Sequence, residues 1–243
     1  MMDGRGGVPP LDAGDAVFVD FDGTLAGLQD NPDTVFLVPG MAEVLEVLSL
    51  RLGGALAVIS GRDAGDLSRR VPDALWRIGN HGLIELMPGE APPEGRAAAP
   101  LPVRAAFEAV CEVIPGARLE TKGPVLALHY RQAPEAESAI GDMLAAAGLP
   151  AEGYSLQNGK FVFEAKPEGA NKGRALARLM QRAPFAGRRA VMIGDDTTDE
   201  DAFSAANELG GLTVKVGPGE TGASHRLADV PAVHAYLKEL AGA

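Results

Sequence analysis

The stretch Val17-Phe18-Val19-Asp20-Phe21-Asp22-Gly23-Thr24 constrains this chain more than any other. β-Branched and aromatic residues from Val17 to Val19 spell a buried strand, which stops at two carboxylates spaced i, i+2 and then at Gly23-Thr24. In an open α/β sheet, ligands bind beyond the carboxyl ends of the strands, so Asp20 and Asp22 stand where chemistry is done. Their spacing keeps both on one side of an extended segment, and Gly23 lets the backbone leave sharply. Two acids so close repel each other, and a divalent metal relieves the repulsion. With a cation neutralising Asp20, its carboxylate can attack phosphorus, while Asp22 is placed to protonate a leaving oxygen and to take a proton from water. A lone Asp-x-Asp is more often a calcium loop or a solvated acidic turn. The strand before it, the Gly-Thr after it and matching pieces downstream favour the catalytic reading.

The next elements build outward from that strand. Leu28 to Pro39 is loop-like, with Asn31-Pro32 and Pro39-Gly40 as turn signals, and Met41 to Leu52 repeats apolar residues at helical spacing up to Gly53-Gly54. Ala55 to Ile59 is an apolar run of strand length that stops at Ser60-Gly61-Arg62. Strand, helix and strand with short connections form a βαβ unit, so the two strands are expected to be parallel neighbours and Ser60 to arrive beside Asp20. A helix over Ala64 to Arg70 and a strand over Leu83 to Met87 follow, flanking Gly79-Asn80-His81-Gly82.

From Pro88 to Pro102 prolines and glycines mark a boundary, and the pattern changes. Helix Val103 to Val113, strand Val125 to Tyr130, helix Glu135 to Ala147, and strands Tyr154 to Gln157 and Phe161 to Ala165 around an Asn158-Gly159 turn predict a small α/β unit with a partly antiparallel sheet. The βα rhythm resumes after Lys166-Pro167: helix Asn171 to Arg182, strand Arg189 to Ile193 ending at Gly194-Asp195-Asp196, helix Thr198 to Ala206, strand Leu212 to Val216 and a helix over Pro231 to Leu240. The expected fold class is α/β: a doubly wound, Rossmann-like core made of residues 1–88 and 166–243, with a smaller α/β cap inserted at 89–165.

Composition narrows the partners. Of the 243 residues 46% are hydrophobic and 23% charged, an ordinary balance for a globular protein. The net charge of −11 excludes nucleic acid, whose phosphates would be repelled, yet permits a phosphorylated small molecule held by a local metal and a few cations. The single cysteine, Cys111, excludes an internal disulfide and is expected to be a small buried hydrophobe. No run reaches the roughly 18 apolar residues of a membrane span, and Met1 to Pro10 lacks a signal-peptide pattern, so a cytoplasmic location with no membrane partner is expected, with a monomer as the default.

Four groups fall at strand ends or helix starts of the core: Asp20 with Asp22, then Ser60, Lys172, and Gly194-Asp195-Asp196-Thr197-Thr198-Asp199. The Ser60 hydroxyl and the Gly61 N–H can hydrogen-bond a transferring phosphoryl group. Lys172 opens a helix, where a cation opposes the dipole, and that disfavoured place suggests a charge-neutralising job at the phosphoryl oxygens. Asp195 can add a carboxylate to the Asp20 carboxylate and the Asp22 carbonyl around magnesium, with Asp199 acting through a coordinated water or by orienting Lys172. The segment Asp196 to Asp199 also suits a plain helix N-cap.

These four motifs in this order resemble those of the haloacid dehalogenase superfamily of phosphatases, and the insertion resembles its α/β cap class. Lys122 with Gly123-Pro124-Val125-Leu126-Ala127-Leu128-His129-Tyr130-Arg131, and Asn158-Gly159-Lys160-Phe161-Val162-Phe163-Glu164-Ala165-Lys166-Pro167, resemble the trehalose-6-phosphate phosphatase family within that class. Gly79-Asn80-His81-Gly82 resembles its His-Gly turn. The resemblance implies Mg2+-dependent hydrolysis of trehalose 6-phosphate. It makes Asp20, Asp22, Ser60 and Lys172 catalytic and Asp20, Asp22, Asp195 and Asp199 the metal set. Gly61, Arg62, Asn80, His81, Lys122, His129, Arg131, Lys160 and Glu164 become candidates to bind substrate. Rival readings are a different capped sugar phosphatase, such as one acting on sucrose phosphate, a phosphomutase, or a sugar-phosphate-binding regulatory module.

Overall fold

The computed structural model describes residues 7–29, 31–94, 98–159 and 161–242. The chain divides into two compact units, one formed by Met1–Pro92 with Asn171–Ala243 and the other by Pro93–Ala170.

In the first unit the chain runs β1 (Asp15–Asp20), α1 (Met41–Arg51), β2 (Leu56–Ile59), α2 (Ala64–Leu67), β3 (Trp76–Gly79) and β4 (Ile84–Leu86). The second unit contains α3 (Leu101–Val113), β5 (Arg118–Lys122), β6 (Val125–His129), α4 (Glu137–Ala146), β7 (Tyr154–Gly159) and β8 (Val162–Pro167). The chain then completes the first unit with α5 (Lys172–Leu179), β9 (Arg189–Gly194), α6 (Thr197–Glu208), β10 (Leu212–Val216), β11 (His225–Leu227) and α7 (Val230–Ala241).

The first unit is a seven-stranded sheet in the order β11-β10-β9-β1-β2-β3-β4, parallel except for β4. Every residue of β1 is buried, as expected of a strand covered on both faces. Phe18 stacks on Phe185 with ring centroids 5.2 Å apart, so removing its ring would cost about 3–5 kcal/mol and loosen the strand that carries Asp20. From β1 the strand order runs outward both ways, to β2 and to β9. That switch point is where a doubly wound sheet opens a crevice, and Asp20 is the last residue of the strand beside it.

The second unit pairs β5-β6-β8-β7, all antiparallel, where a partly antiparallel sheet was expected. Leu126, Leu128, Phe163 and Ala165 share one face and join Phe107, Val110, Ile140 and Leu144 of α3 and α4 in a core. By strand alternation and register, Glu120, Lys122, His129, Gln157 and Glu164 lie on the other face.

Several local expectations change. β3, β5 and β11 were not among the expected strands. β5 (Arg-Leu-Glu-Thr-Lys) carries three charges in five residues, and Arg77 interrupts β3. Arg77 is nonetheless buried, its guanidinium satisfied by the carbonyls of Leu75, Met87 and Glu90. Asn158 and Gly159 belong to β7, with Gly159 paired to Val162, so the turn falls after them and Phe161 takes φ +61°. β6 ends at His129, one residue short of the expected Tyr130, and leaves Arg131 exposed beyond the strand. Lys166 and Pro167 close β8. Cys111 is half-buried at the edge of the core and not within it. Among the described residues no helix is long and apolar enough to cross a membrane.

Candidate active site

The register of β1 on β2 pairs Asp20 with Ile59, which places Ser60 one position beyond that pair. Ser60 is buried and its Oγ accepts the Arg62 N–H at 3.1 Å, tightening the turn after β2. Lys172 is the first residue of α5. Its Nζ donates to Asp20 Oδ1 at 2.7 Å and to Asp199 Oδ1 at 2.6 Å, with only 3% of its side chain exposed. Two carboxylates therefore offset a cation placed against the helix dipole. Burial works to lower the Lys172 pKa, but Asp199 and Asp20 hold it above its ordinary value.

Asp199 sits at the third position of α6, whose N-cap is Asp196, and the two form a capping box. Its Oδ2 accepts the N–H groups of Asp195 and Asp196 at 3.0 Å each. Both its oxygens are thus engaged within the protein, so Asp199 braces Lys172 and the Asp195 turn together. Its capping bond runs through Oδ2 and its bond to Lys172 through Oδ1.

Asp20, Asp195 and Asp199 each offer an oxygen within 4.8 Å of the others. Burial, with Asp199 and Asp195 adding to it against Lys172, raises the Asp20 carboxyl well above the ordinary range. Burial and then Asp199 push Asp195 up to about 6. Of these three carboxylates, Asp20 and Asp199 bond the buried Lys172 ammonium. Hard oxygen donors with excess negative charge fit a divalent cation such as Mg2+ or Ca2+.

Three residues outside the candidate set support Asp195. Gly23 adopts φ +83°, and a Cβ there would lie 2.2 Å from Asp195 Oδ2, so only glycine lets the turn after Asp22 pass that carboxylate. Thr24 Oγ1 donates to Asp195 Oδ1 at 3.3 Å. Lys215, buried near the end of β10, donates to the carbonyls of Asp195 and Val216. Lysine is almost never buried without a partner, so its place inside the apolar run Leu212 to Val216 was a readable signal.

Asp22 is held differently. Arg62 Nε donates to its Oδ2 at 2.7 Å and Nη2 to its Oδ1 at 2.6 Å. The side chain of Asp22 is 30% exposed, against 5% for Asp20.

Asn80 and His81, after β3, take φ +52° and +55°, a left-handed conformation that costs of order 1–3 kcal/mol per residue. Hydrogen bonds over-determine the turn: the Asn80 N–H donates to the Arg62 carbonyl, the His81 N–H to the Ser60 carbonyl, and Asn80 Oδ1 accepts the Ala64 N–H. A Cβ on Gly61 would meet the His81 ring at 2.5 Å, so Gly61 and His81 interlock beside Ser60.

Within the second unit, His129 Nε2 lies 2.7 Å from Glu120 Oε2, and Lys122 Nζ 3.6 Å from the same oxygen. Burial works to raise the Glu120 carboxyl, yet His129 and Lys122 hold it below its ordinary value. The half-buried Glu164 lies on the same sheet face, opposite Ala127 and Gln157. Glu120 was not among the candidates, although the alternation in Arg118-Leu119-Glu120-Thr121-Lys122 before a Gly-Pro turn carried the signal. Lys160 lies outside the described residues.

Comparison with known proteins is consistent across sequence and structure. The chain is 40% identical over 241 residues to trehalose-6-phosphate phosphatase of Escherichia coli K12, covering 95% of this chain and 88% of that one. A probable trehalose-phosphate phosphatase of Sinorhizobium fredii is 38% identical, covering 90% and 84%. The crystal structure of a trehalose-6-phosphate phosphatase related protein superposes with a TM-score of 0.70 at 27% identity, covering 93% of this chain and 96% of that one. The trehalose-phosphatase family model matches residues 18–233. The chain belongs to the trehalose-phosphatase family.

Proposed function

We propose that this protein hydrolyses trehalose 6-phosphate to trehalose and phosphate through an aspartyl-phosphate on Asp20. The observation that carries the reading is the buried set at the end of β1, in which Lys172 joins Asp20 to Asp199 beside Asp195. A strand-end carboxylate fixed by an ammonium, with further acids for a cation, is the equipment that phosphoryl transfer asks of a protein.

Asp20 Oδ attacks phosphorus and the bond from phosphorus to the sugar O6 breaks. Asp22 gives O6 its proton, so trehalose leaves neutral. In the second half Asp22, now ionised, takes a proton from water, whose oxygen attacks the phosphoryl group, releasing phosphate and regenerating both aspartates. Lys172 neutralises charge near the equatorial oxygens, and Ser60 Oγ with the Gly61 N–H donates to them. Asp20 and Asp195 through carboxylates and Asp22 through its carbonyl would hold Mg2+, with Asp199 bracing them; bound there, Mg2+ supplies charge neutralisation at the phosphoryl group. Lys122, Glu164 and His129, joined by Glu120, present donors and acceptors for sugar hydroxyls, which a polar site discriminates far better than an apolar one. Asn80, His81, Arg131 and Lys160 complete the proposed substrate contacts. The reading is of a cytoplasmic monomer.

Phosphate release from trehalose 6-phosphate, sucrose 6-phosphate, glucose 6-phosphate and mannose phosphates, with and without Mg2+, tests it. Preference for trehalose 6-phosphate lost on chelation is expected. Preference for another sugar would overturn the cap assignment, isomerised sugar phosphate without free phosphate would point to a mutase, and no turnover to a binding module.

A further inference from the structure

Arg62 was expected to bind substrate, but its guanidinium is already committed inside the protein. Besides the two bonds to Asp22, Nη1 donates to Asp66 Oδ2 at 2.7 Å and Nη2 to the Pro32 carbonyl at 3.0 Å. The group also lies over the Phe21 ring, 5.4 Å from its centroid. Asp66 is itself fixed: Arg70 Nε donates to its Oδ2 at 3.0 Å and Nη2 to its Oδ1 at 2.9 Å, while Arg70 is buried and also bonds the Val35 carbonyl. The arrangement is a strut running Arg70, Asp66, Arg62, Asp22, fastened at three points before it reaches the carboxylate.

We infer that Arg62, braced by Asp66, is a positioning residue that fixes the Asp22 carboxylate for proton transfer and does not bind substrate. The inference rests on the reading of Asp22 as the proton donor. A short aspartate with 30% exposure would otherwise sample several rotamers, and a planar fork that engages both oxygens selects one. Proton transfer needs the donor within hydrogen-bond reach of the leaving oxygen, so losing that orientation slows the step that uses the proton and little else.

Leaving groups separate the possibilities, because p-nitrophenolate departs without a proton whereas the sugar O6 needs one. Single-turnover release from trehalose 6-phosphate and the p-nitrophenolate burst from p-nitrophenyl phosphate are measured for wild type, Asp22→Asn, Arg62→Ala, Arg62→Lys and Asp66→Asn, with circular dichroism confirming folding. Arg62→Ala is expected to lose at least about tenfold more on the sugar phosphate than on the aryl phosphate, following Asp22→Asn in kind, with added guanidinium chloride restoring part of the loss. Arg62→Lys, a point charge that cannot fork, and Asp66→Asn, which frees the fork, are expected to show the same selective loss to a smaller degree. Those two carry the test if Arg62→Ala does not fold. Equal losses on both substrates, or a raised KM with unchanged kcat, would overturn the inference and return Arg62 to substrate binding. If Asp22→Asn discriminates and the Arg62 and Asp66 variants do not, the inference alone fails. If Asp22→Asn shows no discrimination, the reading of Asp22 as proton donor fails and takes the inference with it.

Discussion

The end of β1 and the polar face of the β5-β6-β8-β7 sheet hold charged side chains by different physics. At β1, Lys172, Asp20 and Asp199 are 3%, 5% and 0% exposed and each has charged partners at hydrogen-bond distance. On the sheet face, His129 and Glu120 are 35% and 27% exposed, and their link is a single edge contact. Buried pairs fix geometry at a high cost if one partner is lost; half-exposed pairs are screened and contribute little to stability. The first region suits chemistry that is the same for every phosphate ester. Under the proposed function the second serves recognition of one sugar, where contacts can change without unfolding the unit.

Substitutions should break the two regions unequally. Asp20→Asn is expected to lower kcat by about a thousandfold or more, read by phosphate release. Lys172→Met is expected to lower kcat by roughly 100- to 1,000-fold and also to lower Tm, because it leaves Asp20 and Asp199 buried without their cation. Lys122→Met and Glu164→Gln are expected to lower kcat/KM for trehalose 6-phosphate by roughly 10- to 100-fold, with Tm within a degree or two of wild type. A Lys122 or Glu164 variant that unfolds, or a Lys172 variant that retains full turnover, would erase the contrast.

The same contrast governed what could be read beforehand. Strand-end acids after apolar runs are a strong pattern, so Asp20, Asp22, Asp195 and the parallel pairing of β1 with β2 were legible in the sequence. Lys172 was legible because its helix position made it an anomaly. Glu120 was missed because β5 has no apolar run, being a strand through its pairing with β6. Thr24 was missed because its role lies in a contact across 171 positions, which no local pattern encodes, whereas Lys215 was legible as a lysine inside the apolar run Leu212 to Val216 and was passed over.

Two smaller effects sharpen the picture. Added Mg2+ should raise the Tm of wild type and not that of Asp195→Asn, as a thermal-shift titration would show. Asp66 is pulled down to about 2 from 3.8; burial opposes the shift, but Arg70 and Arg62 outweigh it. A carboxyl depressed on folding contributes its full stability above its unfolded value and loses it as pH falls through the folded one. Asp66 should therefore add acid lability between about pH 4 and pH 2, and Asp66→Asn should flatten the Tm profile across that window.

The most direct test of the account is rapid acid quench of Asp22→Asn during turnover of p-nitrophenyl phosphate, whose leaving group departs without the proton that Asp22 supplies, followed by peptide mass spectrometry. Without its base to activate water, the protein should accumulate one phosphoryl group on the peptide that contains Asp20, and none when Asp20 is also replaced by Asn. Steady release of phosphate with no covalent label on that peptide would contradict the assignment of Asp20 as nucleophile.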